Sequence, residues 1–160
     1  MELNRENVIH IEMAEEPREE NGETIPGKVK CVHVWIGGRV IPLRYTTAAQ
    51  EKFDEEMDMD FYTLQDKLNK DKKSTRVTVR AIRILGNEGL RLAGETADLT
   101  EDWLKDHIPP AKIIDYRLAA LAALVSGWYM ETDNSYEEKQ DVVLNEIRKK
   151  NESTESPTGS

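Results

Sequence analysis

The feature that most constrains the fold is a change of hydrophobic period at Thr46. Before it, short runs rich in Val and Ile at residues 8–13, 29–36 and 40–45 predict strands. After it, apolar residues recur every three or four positions, which predicts helices. We therefore expect a mainly α fold with a small N-terminal antiparallel β hairpin or sheet (α+β), in which the helices form a compact domain.

The predicted sheet is built around a hairpin. Gly37 and Gly38 separate the second and third strands, and two glycines can both take the positive φ of a tight turn. Pro42 cannot donate to a ladder, so its strand should lie at an edge. Residues 14–27 are rich in Glu, Pro and Gly and predict a mobile acidic loop.

The domain boundaries follow from these patterns. We expect residues 1–28 to hold an N-terminal strand and the acidic loop, and residues 29–150 to form a single domain, with the hairpin at 29–45 and helices at 46–150. Residues 151–160 consist of Glu, Ser, Thr, Pro, Gly and Asn and predict a disordered tail.

Each helix has its own start signal and apolar face. Six helices are predicted to begin near the following residues: Thr47, Asp60, Thr75, Thr100, Pro110 and Ser135. The side chains expected to face inward in the first helix are Ala49, Phe53 and Met57. In the second they are Phe61, Leu64 and Leu68. In the third they are Val77, Ala81, Ile84, Leu85 and Leu92. Gly86 and Gly89 weaken the third helix and predict a kink or break.

The helix that begins at Pro110 is the most apolar. Its side chains at intervals of three or four residues are Ile114, Leu118, Leu121, Val125 and Trp128. Alanines and further aliphatic residues fill most of the remaining circumference, so we expect burial on nearly all sides. This helix is predicted to be the hydrophobic centre of the domain. The last helix is predicted to begin at Ser135, which forms a capping box with Glu138.

Charge and cysteine content narrow the class of protein. The chain has 160 residues, of which 31 are acidic and 22 basic, and its net charge of −9 argues against general binding to phosphate backbones. One cysteine, Cys31, suits a reducing compartment. The longest apolar run, residues 118–125, is far shorter than the roughly 20 residues of a membrane span. We expect a soluble cytoplasmic protein.

Signatures of catalysis are missing from the sequence. His10, His33 and His107 stand in separate elements without ligand spacing, and Cys31 has neither a helix N-terminus nor a basic cluster in sequence reach that would activate it. The acidic run at 54–60 lacks the glycine and the final glutamate of a calcium loop. We predict a protein that is not an enzyme, with no catalytic residue, cofactor or metal site.

Four arginines on one face of the third predicted helix form a candidate partner-binding stripe: Arg76, Arg80, Arg83 and Arg91. They could grip an acidic protein or a phosphate backbone. Alternatively they pair within the chain, with Glu51, Asp54, Glu55 and Asp58.

A second candidate set brackets the turn before the last predicted helix: Trp128, Tyr129, Met130 and Tyr136. Aromatic and methionine side chains are preferred anchors of protein interfaces, although packing in the core is their more common role.

Several short motifs occur in a characteristic order: IPLRYTT at 41–47, an acidic helix, NEG at 87–89, LTEDWL at 99–104 and METD at 130–133. In this order and spacing the chain resembles the tail assembly chaperones of long-tailed phages and prophages of Gram-positive bacteria. The resemblance spans roughly residues 29–150. Residues 1–28 look like an addition to the usual N-terminus.

The resemblance implies a non-enzymatic chaperone in the host bacterial cytoplasm that is absent from the mature virion. It would bind the tape measure protein and recruit tail tube protein subunits around it; self-association is left open. Such families also make a longer form of the protein by programmed ribosomal frameshifting. The codons of Lys149, Lys150 and Asn151 could supply the nucleotide sequence on which the ribosome slips back by one position. The alternative is a small nucleic-acid-binding or regulatory protein that uses the four arginines.

Overall fold

Five strands precede the helices in the part of the chain that the computed structural model describes, residues 2–25, 27–70 and 74–128. All of these residues belong to one compact unit. The strands are β1 (Ile9–Glu15), β2 (Arg18–Glu20), β3 (Glu23–Ile25), β4 (Lys28–Ile36) and β5 (Arg39–Leu43). The helices are α1 (Thr47–Met57), α2 (Phe61–Lys70), α3 (Thr75–Leu92), α4 (Glu101–His107) and α5 (Ile113–Trp128). The α+β fold is thus confirmed.

The main sheet is antiparallel, with the strand order β1-β4-β5. Alternate residues of β4 are buried, since Val34 and Ile36 are 0% exposed, and the half-buried His33 and Trp35 point to the other face. Gly37 and Gly38 both have positive φ, 56° and 82°, as the tight hairpin turn requires. The hairpin and the edge position of β5 are confirmed.

The prediction of a loop over residues 14–27 is wrong. β1 continues to Glu15, and β2 pairs with β3 in a separate two-stranded sheet. Asn21 and Gly22, with φ of 53° and 79°, form the two-residue turn between these strands. An Asn-Gly pair strongly favours such a turn, and this local signal outweighs the low apolar content on which the loop was predicted.

The first two helices follow the predicted pattern with one shift. The N-cap of α1 is Thr46, one residue before the predicted Thr47, and its side chain accepts a hydrogen bond from the backbone N–H of Ala49. Asp60 caps α2 as predicted and accepts from the N–H of Thr63 at 2.8 Å. Five of the apolar side chains predicted to face inward on these two helices are buried: Ala49, Phe53, Phe61, Leu64 and Leu68.

The break predicted as one alternative in α3 is absent, because the helix runs unbroken from Thr75 to Leu92. Its glycines serve packing instead. A Cβ on Gly89 would overlap the carbonyl oxygen of Pro42, so glycine lets α3 lie directly against β5. Leu92, predicted to face inward, is 43% exposed because it lies in the last turn of the helix.

The last two described helices begin where the sequence indicates. Thr100 caps α4 by accepting from the N–H of Trp103 at 3.1 Å, and a single 3-10 turn at Pro110–Lys112 leads into α5. α5 lies along β4, to which it is tied at both ends. The Tyr116 hydroxyl donates to the carbonyl of Trp35 at 2.5 Å, and the Ser126 hydroxyl donates to that of Val29 at 3.0 Å.

None of the described helices is both long and apolar enough to cross a membrane. The helix predicted from Ser135 and the tail predicted at 151–160 lie outside the described residues.

Candidate protein-binding surface

One side of α5 carries a row of apolar side chains that reach solvent. Ile114 is 64% exposed, Leu118 52%, Val125 38% and Trp128 42%, with the half-buried Leu121 between them. These five residues, here called the α5 stripe, are separated by 4, 3, 4 and 3 positions. That spacing is the heptad repeat with which one helix packs along another. The α5 stripe is therefore shaped to receive a helix.

The prediction that α5 is buried on nearly all sides is wrong, because the helix buries a different face. Its buried residues are Tyr116, Ala119, Ala120, Ala123 and Leu124. The short alanine side chains let the helix axis come close to the structure beneath. Since the small residues take the inner face, the larger aliphatic residues are left on the outer one. Since both faces of α5 are apolar, its sequence alone does not show which of them is buried.

An aromatic group extends the stripe onto α2. Trp128 stacks on Phe61 with ring centroids 4.1 Å apart and meets Tyr62 edge-on at 5.4 Å. Tyr62 is 65% exposed, while Phe61 is buried and stacks in turn on Tyr45. Trp128, the described member of the second predicted set, thus stands half-exposed on an ordered aromatic support. Exposed aromatic side chains of this kind are typical anchors of protein interfaces.

Charge is nearly absent along the stripe. The charged residues of α5 are Asp115 and Arg117, both near its N-terminal end. Arg117 also lies 3.3 Å from the Ser74 hydroxyl, to which it donates. From Leu118 onward the helix has no charged residue. A partner would meet an apolar surface with little charge to desolvate.

The candidate arginine stripe is largely engaged within the chain. Arg80 forms an ion pair with Glu101 at 3.1 Å, and Arg83 pairs with both Glu56 and Glu101. The ion-pairing side chains are only 18–33% exposed, so these pairs fasten α3 to α1 and α4. Internal pairing is therefore present, but with Glu56 and Glu101 in place of the predicted Glu51, Asp54, Glu55 and Asp58.

The remaining two arginines differ from each other. Arg91 pairs with Glu88 at 2.6 Å, one turn earlier on α3. Arg76 is exposed at the N-terminal end of that helix. The stripe is therefore not a row of four available cations, and its capacity to bind an anionic partner is reduced accordingly.

Glu88 is a buried acidic residue that joins two elements. Its side chain is 6% exposed, accepts a hydrogen bond from the Thr46 hydroxyl and pairs with Arg91. The hydrogen bond from Arg91, followed by that from Thr46, lowers the pKa of Glu88 despite the opposing effect of burial. The N-cap of α1 is thus fastened to α3 through a charged carboxylate, which is a structural role.

The structure brings two of the three histidines together on the main sheet and leaves the single cysteine half-buried. Burial and a hydrogen bond donated to Glu12 raise the pKa of Cys31 to about 11, so its thiol is protonated at neutral pH. His10 and His33 face each other across β1 and β4, whereas His107 stacks on Trp103 at 4.3 Å in α4. Among the described residues, no three His, Cys, Asp or Glu side chains could together hold a metal ion.

Comparisons with known proteins add no assignment, because no protein-family model, curated protein or solved structure matches the chain. The other members of the second candidate set, Tyr129, Met130 and Tyr136, lie outside the described residues. The α5 stripe with Tyr62 is therefore the surface on which a functional assignment can be argued. Sequence reasoning named its end, Trp128, but assigned the other four residues to the core.

Proposed function

We propose that the protein is a chaperone of phage tail assembly, which binds the tape measure protein through the α5 stripe and recruits tail tube subunits around it. The observation that carries the proposal is the exposed heptad row on α5, from Ile114 to Trp128. The order of motifs described above supports the choice of client. Acting in the host cytoplasm and leaving before the virion is complete are parts of the same proposal.

The physical basis of the proposal is that a long amphipathic helix needs a binding partner for its apolar face until the tail tube encloses it. A tape measure protein outside its tube would expose apolar stripes to water and to one another. The last member of the α5 stripe lies 14 positions after the first, or about 21 Å along the helix, which equals two heptads of a client. Several chaperone molecules could therefore cover successive stretches of one client helix.

The alternative, binding of nucleic acid by the arginine stripe, is less well supported. Arg80, Arg83 and Arg91 already pair with carboxylates, and the net charge of −9 opposes approach to a phosphate backbone. Nucleic-acid binding would show as a steep fall of affinity with rising salt. A duplex that gives no mobility shift even at low salt would exclude this function.

Co-expression tests the chaperone proposal directly. The proposal predicts that a long tape measure protein is encoded near this chain; that protein is expressed with and without the chain, and its soluble fraction is measured in each case. We expect the tape measure protein to be soluble, and to co-purify with the chain, only when both are present. Equal solubility without this chain would refute the proposal.

A further inference from the structure

The α5 stripe is nearly symmetric about its middle residue. Ile114 and Trp128 lie seven positions before and after Leu121, and Leu118 and Val125 lie three before and four after it. If two copies of α5 lie side by side in opposite directions, Leu121 meets its own counterpart. Ile114 then meets Trp128 of the other copy, and Leu118 meets Val125. The row is therefore complementary to itself, as an interface with two-fold symmetry requires.

Side-chain size favours the antiparallel arrangement over the parallel one. The bulky end of the stripe is formed by Trp128 with Tyr62, and the other end by the smaller Ile114. An antiparallel pair places a bulky end against a small one at both ends, so the helices can keep an even separation. A parallel pair would set Trp128 and Tyr62 of both copies against each other. Opposed helix dipoles also favour the antiparallel pair.

Charge also permits this pairing. Asp115 and Arg117 lie near the N-terminal end of α5, so in an antiparallel pair they face the uncharged C-terminal end of the other copy, around Ser126 and Gly127. No like charges are thereby brought together along the stripe. Each copy has a net charge of −9, so two copies repel each other. At physiological salt this repulsion is largely screened between charges more than roughly 8 Å apart.

We propose that two copies of the chain associate antiparallel through the α5 stripe, with the two-fold axis at Leu121, when no client covers it. This inference goes beyond the proposed function, because its occupant is a second copy and not a tape measure helix. The exposed parts of the stripe and Tyr62 amount to less than the roughly 800 Å² that each side of a standard interface buries. The dimer is therefore weak and dissociates on dilution, which leaves the surface available to a client.

Single-cysteine cross-linking tests the pairing and its direction. In a Cys31→Ser background, Leu121→Cys is expected to form a disulfide-linked dimer of twice the 18.3 kDa chain mass under mild oxidation. Ile114→Cys alone is not, because the two copies of residue 114 would lie about 21 Å apart. Mixing Ile114→Cys with Trp128→Cys should restore the cross-link. Dimers formed equally well by Leu121→Cys and Ile114→Cys alone would overturn the antiparallel arrangement.

Light scattering on the unmodified chain gives an independent readout. We expect the mean mass to rise above 18.3 kDa with increasing concentration, and Leu118→Glu to hold it at the monomer value. Val40→Glu adds the same charge at a residue 49% exposed on β5 and should dimerise like the parent. A monomer at all concentrations would overturn the proposal. Neither measurement contains a client, so the failure of one proposal leaves the other standing.

Discussion

At the scale of single residues, contacts with backbone atoms decide which substitutions the fold accepts, and Gly89 is the clearest case. In a helix interior, alanine is more stable than glycine by about 1 kcal/mol, so helix propensity alone predicts that Gly89→Ala stabilises α3. The new Cβ would instead overlap the Pro42 carbonyl, which belongs to a paired strand and cannot simply rotate away. We expect a net loss of about 1–3 kcal/mol in the free energy of unfolding.

Gly86→Ala is the matched control for this prediction, to be measured by the same urea denaturation. Its added Cβ would first meet the Cδ1 atom of Leu99, the end of a side chain that can turn. A smaller loss is therefore expected than for Gly89→Ala. If Gly89→Ala stabilised the protein, the close contact between α3 and β5 would be wrong.

Glu88 makes a prediction about pH. Its pKa is lowered in the folded protein by Arg91 first and then by Thr46, so ionised Glu88 stabilises the fold above its unfolded pKa near 4.5. That contribution is lost as the pH falls below about 4.5 and through the folded pKa. We expect Glu88→Gln to cost about 1–3 kcal/mol at pH 7 and progressively less in acid.

Unfolding titrations at several pH values measure this convergence. Glu95→Gln removes the same charge from an exposed position and should stay within about 0.5 kcal/mol of the parent at every pH. A cost for Glu88→Gln that stays the same from pH 7 to pH 3 would show that the carboxylate charge is not what stabilises the Thr46 contact.

At the scale of elements, α3 is the helix through which the others are joined, and its arginines make the connection. Reversing Arg80 and Arg83 together to Glu would place new carboxylates against Glu56 and Glu101 in partly buried positions. We expect a loss of about 2–4 kcal/mol in unfolding free energy, because the existing carboxylates lose their partners. Arg76→Glu on the same helix should change stability by no more than about 0.5 kcal/mol.

Circular dichroism during thermal unfolding distinguishes the two uses of these arginines. A lower Tm for the double variant, with the Tm of Arg76→Glu unchanged, supports internal pairing. An unchanged melt with weakened binding to a partner would instead make Arg80 and Arg83 contact residues, and the structural assignment would be wrong.

Hydrophobic periodicity and caps predicted most elements, because these are local signals. Asp60, Thr100 and the Gly37-Gly38 turn act within a few residues of where they stand, and the elements around them begin and end close to the predicted positions. What sequence reasoning could not supply was orientation. α5 has apolar residues on every side, and which side is buried depends on the shape of its neighbours, here on the closeness that three alanines permit.

The candidate site was missed for the same reason. Leu118 and Val125 look like core residues in any pattern analysis, since large aliphatic side chains are usually buried. The arginines, in contrast, stood out in an acidic sequence, yet two of the four, Arg80 and Arg83, find partners that are distant in sequence, such as Arg80 with Glu101. Long-range pairing of this kind leaves no local pattern.

At the scale of the whole molecule, the fold presents one apolar helix face on a fixed support. Hydrogen bonds to β4 hold α5 near both ends, from Tyr116 and from Ser126. A face fixed in this way loses little conformational freedom on binding, which favours affinity. Such a fixed face is suited to our proposed client, an amphipathic helix that packs along the α5 stripe.

Helix binding by the α5 stripe is tested by comparing how Leu118→Glu and Val40→Glu bind the tape measure protein, with the unmodified chain as reference. Both positions are about half exposed, at 52% and 49%, so neither charge should alter the fold, which circular dichroism checks. We expect Leu118→Glu to weaken binding at least tenfold, because a carboxylate enters an apolar contact, and Val40→Glu to bind as the unmodified chain does. Equal binding by both folded variants would show that the α5 stripe is not the surface that binds the client.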